Sequence, residues 1–454
     1  MKPQAIATLF SLLGVAAAHN ANHAQIAKRQ SAAPTGTVVT GVTVPPLASL
    51  TFGMPTGATP VATATASPGA AGPVSGAPTL PSPAWAFAPG VWPDMDKPID
   101  ATTAQVQEWM QELDGYNIPD IAPTVDGSCD NDTAAAADAA NRGWWTCGGY
   151  TRATDIVACP DKMTWGVSFD DGPGPYTPNL LGYLAQKSLS ATFFVVGSRV
   201  IQYPELLIDE YMAGHEISVH TWSHPHLTAL TNQQIVAELG WTRKAIQDVI
   251  GVTPTTMRPP YGDIDDRVRM IALAMGLVPI IWTRTTSGFA FDTFDWKVAG
   301  GTVDGLTSFA NFESILGNAS IMDTGFIVLA HDLYEITVDM AIGYTLNAAL
   351  TSNPPFTLES IGKCSKIPPS NMYVESNQNT SFPFPSPPKS MASSGTSTAL
   401  NSTASGKGKV AQGGSSSSNS TASGSSATGA SGALANSVSL FVLTLAGAAV
   451  LLLL

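Results

Sequence analysis

Charge is scarce in this chain. Only 12% of its 454 residues are Asp, Glu, Lys or Arg, and the balance is acidic, 34 carboxylates against 21 Lys and Arg. No basic block occurs, which argues against nucleic acid as a partner. Cysteine is scarce too. The four cysteines, Cys129, Cys147, Cys159 and Cys364, include no CxxC spacing, so nothing points to a cysteine metal site. An even number fits disulfides in an oxidising compartment. Three pairings are open. Cys129–Cys147 with Cys159–Cys364 is favoured, because the second pair brackets the region that carries the candidate chemistry.

The two ends read as address labels. MKPQAIATLFSLLGVAAAHN has a Lys at position 2, an apolar run and a small-residue exit, so residues 1–18 are expected to be a secretory signal. The run is too short for a transmembrane helix. A Lys28–Arg29 pair offers a dibasic processing site. The end, LANSVSLFVLTLAGAAVLLLL, is uncharged and apolar. With small residues before it, the pattern fits a glycosylphosphatidylinositol signal over 431–454, attached at Ser426, Gly429 or Ser431. A tail-anchored helix is the alternative, but it usually carries flanking basic residues. These features predict a secreted protein lipid-anchored at a plasma membrane or wall. Secretion would also permit glycosylation at Asn131, Asn318, Asn379, Asn401 and Asn419.

Between the labels the composition shifts several times. Residues 19–88 are rich in Ala, Thr, Pro, Gly and Ser, almost uncharged and without periodicity, so a disordered spacer is expected. Residues 89–158 contain an amphipathic stretch, VQEWMQELDGYNIP, and two cysteines beside Trp144–Trp145, which predicts a small cap. Residues 365–430 return to Ser, Thr, Gly and Pro and read as a stalk.

The segment 159–364 alternates short apolar runs with helical ones. TWGVSF, ATFFVV, EISV, TTMR, LVPIIW, GFIVLA and PFTL read as strands. The stretch after EISV opens with a Thr-x-x-Gln capping box and stops at Gly251. Strands alternating with helices imply parallel pairing. About seven β/α units predict an α/β fold, a distorted (β/α) barrel.

The polar residues sit where such a barrel carries chemistry. Asp170 and Asp171 follow the first strand; His220 and His224, in HTWSH, follow the third. Arg258, Pro259, Pro260 and Tyr261 follow the fourth, Asp292 and Asp295 the fifth, and His331 the sixth. Strand C-termini converge on one face. An isolated DDG is ordinarily a solvated turn, and two loop histidines are ordinarily just that. Two carboxylates beside two histidines on one rim are most simply explained by a bound cation. Nitrogen and oxygen donors suit Zn²⁺ and also Co²⁺, Ni²⁺ or Mn²⁺. Three protein ligands leave room for water, as in catalytic sites. HTWSH has the spacing of HExxH without its Glu, so a general base must come from elsewhere, and Asp170 is placed for it. Trp222, Trp282, Tyr176, Phe289 and Trp296 lie near the rim, each either a sugar platform or core.

SFDDG, HTWSH, RPPYG, DTFDW and LAH, in that order, resemble the five motifs of the polysaccharide deacetylases, carbohydrate esterase family 4. The resemblance covers about 160–364 and is nearest to the fungal chitin deacetylases; Ser168 stands where the family more often has Thr. It implies Asp171, His220 and His224 as ligands of one Zn²⁺ or Co²⁺ ion, and Asp170 as base. It implies Arg258 to pair with and aim Asp170, His331 as acid, and Asp295 to orient His331 and favour its charged form. Tyr261, with Pro259, would meet substrate and offer a backbone N–H to the oxyanion. Trp296 and Leu329 would line the groove for the acetyl methyl. The implied reaction removes acetyl from N-acetylglucosamine in chitin, giving chitosan and acetate. Peptidoglycan deacetylation and acetylxylan hydrolysis are the alternatives within the family. A wall-binding protein with a decayed catalytic face is the alternative outside it, and no ligand, base or acid is lost. A monomer is expected.

Overall fold

A computed structural model of the chain describes residues 37–39, 42–54, 66–82, 88, 90–97 and 99–379. The expected signal, the Lys28–Arg29 pair, Asn401, Asn419, Ser426, Gly429, Ser431 and the 431–454 tail lie outside them. No helix among the described residues is long and apolar enough to cross a membrane.

A short antiparallel pair, β1 (Thr37–Val39) and β2 (Val42–Thr43), precedes the main sheet. That sheet has seven strands: β3 (Thr164–Asp170), β4 (Thr192–Val195), β5 (Glu216–Val219), β6 (Thr256–Met257), β7 (Val278–Pro279), β8 (Phe326–Ile327) and β9 (Thr357–Ser360). Their order is β7-β6-β5-β4-β3-β8, with β9 also on β3, and every pairing is parallel. All seven residues of β3 are buried. A strand covered on both faces needs an unbroken buried run, and TWGVSF reads that way.

The outer strands are joined by irregular backbone rather than by a ladder. The Thr283 N–H donates to the Ile327 carbonyl (3.0 Å), Phe291 to Thr283 (2.9 Å), Leu329 to Phe291 (2.8 Å) and Thr293 to Leu329 (3.1 Å). Residues 290–293 therefore plug the gap between β7 and β8 and close the distorted barrel, with Asp292 bridged to Leu329.

Helices at Thr177–Lys187, Pro204–Met212, Asn232–Ile250, Asp266–Ala274 and Gly305–Ile321 pack outside. The Asn232–Ile250 helix has the expected ends. Thr231 and Gln234 form a reciprocal capping box, and Gly251 closes the helix at φ 81°. Both favoured disulfides are present, Cys129–Cys147 and Cys159–Cys364, with Cα atoms 5.6 and 5.3 Å apart. The second lies against Gly166 of β3, where a Cβ would stand 2.9 Å from the Cys159 sulfur. Only glycine leaves room for the bridge there.

Two expected boundaries are corrected. Residues 42–54 and 66–82, assigned to a disordered spacer, are ordered against the barrel. Val44, Leu47, Leu50 and Leu80 are buried. The Gly305 N–H donates to the Leu50 carbonyl (2.8 Å), and the Tyr344 hydroxyl to that of Pro45 (2.6 Å). Val44 crosses the chain at Gly343, inside a π-helical turn, Ala341–Thr345. The strap has no periodicity of its own because the barrel surface supplies its template. Likewise the domain does not end at 364. Thr255 donates to the Met372 carbonyl (3.0 Å) and Val374 to that of Thr253 (2.9 Å), and Tyr373 is buried beneath β5. What reads as the start of a stalk is an added edge on the fold.

The cap is small and mostly irregular, with helices at Ala104–Met110, Thr133–Ala137 and Ala139–Arg142 and with Trp144 and Trp145 buried. Asn131 and Asn379 are exposed and Asn318 is half-buried.

Candidate active site and metal centre

The C-terminal ends of β3, β5, β6 and β8 bring the expected polar residues to one cleft of about 370 Å³. The loops around the cleft, which leave these strands and β7, turn sharply. Asp171 (φ 77°), Thr221 (φ 66°), His224 (φ 59°), Tyr261 (φ 59°) and Phe294 (φ 62°) all hold left-handed backbone without being glycine. Such residues cost of order 1–3 kcal/mol each and cluster where geometry is fixed for a task.

Asp170 closes β3 and is almost fully buried. Its Oδ1 accepts from the Arg258 Nη1 at 2.6 Å. Arg258 is itself wholly buried, 4.0 Å beneath the Phe194 ring. A single fixed donor holds one carboxylate oxygen, and the other, Oδ2, stands 4.0 Å from the His220 Nε2.

Asp171, His220 and His224 offer three ligand atoms within 4.8 Å of one another. The Asp171 Oδ1 lies 3.3 Å from the His220 Nε2 and 3.1 Å from the His224 Nε2. Neither approach meets hydrogen-bond geometry, and this buried oxygen has no hydrogen-bond partner. The His220 Nδ1 donates to the Arg258 carbonyl at 2.8 Å, which leaves Nε2 to face the carboxylate with its lone pair. Burial lowers the pKa of His224 despite the neighbouring Asp171. Burial alone would raise Asp171, but His224 and His220 hold it well below the usual carboxylate range. An anionic oxygen without a donor, facing two imidazole nitrogens, fits a divalent cation.

On the same cleft, the His331 Nδ1 donates to the Asp295 Oδ1 at 2.7 Å, and the His331 backbone N–H to Oδ2 at 2.8 Å. Burial disfavours the imidazolium, yet the Asp295 charge and hydrogen bond outweigh it and push the His331 pKa up to about 10. The pairing thus favours the imidazolium form of His331.

Leu329 and Trp296 line the cleft as expected, Trp296 with its indole N–H 3.3 Å from both Asp292 carboxylate oxygens. Tyr261 lines it half-exposed. Arg258 and Asp295 act from behind the wall. Pro259, expected beside Tyr261 against substrate, is buried and not a lining residue. The chain turns there so that only Tyr261 projects. Two further residues line it: Trp282, which the sequence left as either a sugar platform or core, and Asp292, which it set on the rim without a role. Asp292 sits in the DTFDW motif, which was the available signal. Trp222 is core, stacked on Trp92 at 5.9 Å.

A candidate cation site, a carboxylate on a fixed arginine and a histidine held by a carboxylate share one cleft, the arrangement of a hydrolase for acyl groups. The polysaccharide deacetylase profile matches residues 158–280. Chitin deacetylase 1 of Cryptococcus neoformans var. grubii is 51% identical over 343 residues, 75% of this chain and 72% of the relative. The chitin deacetylase of Amylomyces rouxii is 36% identical over 258 residues, 53% of this chain and 59% of the relative. Among solved structures, the chitin deacetylase of Colletotrichum lindemuthianum aligns with TM-score 0.43 at 23% identity, over 50% of this chain and 97% of that one. This chain belongs to the polysaccharide deacetylase family.

Proposed function

We propose that this protein removes the acetyl group from N-acetylglucosamine units of chitin, leaving chitosan and releasing acetate. One observation carries the chemistry: the Asp170–Arg258 and His331–Asp295 pairs meet in one cleft around the Asp171, His220 and His224 cluster. Similarity to chitin deacetylases over three quarters of the chain supports the substrate.

Asp171, His220 and His224 are the residues that hold one divalent ion, Zn²⁺ or Co²⁺ by their donor types. Such an ion, when bound, supplies Lewis acidity toward a carbonyl and lowers the pKa of water. Asp170 accepts the proton of the attacking water, and Arg258 keeps that carboxylate aimed. The developing oxyanion meets the Tyr261 backbone N–H, a donor fixed in place before reaction. An amine leaves poorly unless protonated. His331 provides that proton from its free ring nitrogen, and Asp295 keeps it charged. Trp296 and Leu329 pack against the acetyl methyl. Before the acid, base and substrate act, nothing in this scheme needs to move far, because the strand ends pre-position each group.

Secretion and a lipid anchor at the plasma membrane or wall complete the reading. The signal-like start, the apolar tail and two disulfides support it. The test is acetate release from chitin oligomers, with peptidoglycan fragments and acetylxylan in parallel. Release from chitin supports the proposal. Turnover confined to either comparator overturns the substrate and keeps the site.

A further inference from the structure

Tyr261 stands on the cleft with half of its surface exposed and its backbone in the left-handed region. Two rings hold its side chain. Its edge contacts the cluster residue His224 (centroids 4.6 Å apart, 67°), and its face lies flat on His226 (3.9 Å, 11°). His226 belongs to neither the metal cluster nor the cleft lining.

His226 is itself clamped from outside the barrel. Its Nδ1 is 3.7 Å from the Asp263 Oδ2. Asp263 is fully buried and joins three segments. Its Oδ1 accepts from the Trp144 indole (2.8 Å) and the Thr146 hydroxyl (2.9 Å), and its Oδ2 from the Thr228 backbone (2.9 Å) and hydroxyl (2.7 Å). Over the imidazole sits the turn at Gly127. A Cβ there would come within 2.6 Å of the ring, at a φ of 77° that favours glycine. That turn is pinned in turn, since the Thr124 N–H donates to the Thr228 carbonyl and Gly127 donates to the Thr124 hydroxyl. The Cys129–Cys147 bridge closes the loop. From the same loop Trp145 meets Trp282 edge-on at 4.6 Å, and Trp282 lines the cleft. Two aromatic walls of the cleft, Tyr261 through His226 and Trp282 directly, are thus braced by one segment, 124–149, which the Cys129–Cys147 bridge cross-links.

We infer that this cap segment belongs to the substrate-binding machinery, with His226 as a positioning residue that backs Tyr261. The backed phenol ring presents a flat, fixed wall to the sugar unit next to the one being deacetylated. Sugar rings stack their C–H faces on such walls, and a ring that does not rotate loses less freedom when they bind. This inference rests on the polysaccharide hydrolase reading.

The test compares wild type, His226→Ala and His226→Phe on the N-acetylglucosamine tetramer, measuring KM, kcat and metal content. In His226→Ala, KM rises roughly two- to tenfold, the fold-change carried by one lost aromatic stack, while kcat stays within about twofold. His226→Phe, which restores a flat ring, recovers most of the KM. An unchanged KM in His226→Ala, a fall in kcat alone, or no recovery with Phe overturns the inference. Calorimetric binding of the same tetramer is measured alongside. Wild type that binds without releasing acetate sinks the hydrolase reading, and the variant-to-wild-type ratio of binding constants then decides the role of His226.

Discussion

Replacing Asp295 with Asn removes the charge that keeps His331 protonated. The distance from an ordinary imidazole, near 6.5, to about 10 corresponds to preference for the cation of on the order of 5 kcal/mol. Asn still offers one oxygen to the Nδ1–H, which holds the ring, while the His331 backbone N–H loses the acceptor it has in Oδ2. Without the carboxylate, burial is opposed only by the more distant charges of Asp171 and Asp170, and His331 falls back toward the ordinary value. At pH 8 the variant then holds a neutral ring where wild type holds an acid. Loss of a general acid costs about 10²–10⁴-fold in rate, so acetate release at pH 8 should fall by that order. The alkaline limb of the pH–rate profile should move down by about three pH units. The sign for stability follows the same shift. The His331–Asp295 pair contributes fully below pH about 6.5, and its contribution fades as pH rises through about 10. The assay is kcat against pH for both proteins, with the ring titrated by NMR and metal content as control. An alkaline limb that stays in place in Asp295→Asn refutes the reasoning.

Other substitutions separate the remaining roles. Asp170→Asn should keep the metal and lower kcat by about 10²–10⁴-fold, the usual worth of a general base; turnover near wild type would remove Asp170 from that role. His220→Ala should lose both bound metal and activity, as read by elemental analysis and acetate release. Leu50→Ala tests the strap. A fully buried leucine truncated to alanine costs about 2–5 kcal/mol, so the melting temperature should drop by several degrees, whereas an unfolded spacer would leave it unchanged.

Much of this molecule was legible because its strands are buried on both faces. A parallel barrel writes each strand as an unbroken apolar run, and β3 shows it in TWGVSF. The helix from Asn232 to Ile250 carries its own start and stop in Thr231 and Gly251. The chemical residues were legible for a related reason. Each apolar run has a recognisable end, so polar residues just past those ends could be assigned to one rim. What escaped the sequence depends on contacts between distant segments. The strap at 42–54 is ordered by segments it meets far later in the chain, through Gly305 and Tyr344. The barrel closes through Thr283 and Phe291 rather than through a strand with its own pattern. Asp292 and Trp282, set near the rim by the sequence, are brought into the cleft wall by that irregular closure. His226 acquires its place only when the Gly127 turn folds over it.

The central claim is that Asp171, His220 and His224 hold one ion on which turnover depends. The most direct measurement removes metal with a chelator and titrates Zn²⁺ back, following bound metal and acetate release from a chitin oligomer together. The account predicts that activity disappears on chelation and returns in parallel with one ion per chain. Full turnover by the stripped protein would contradict it.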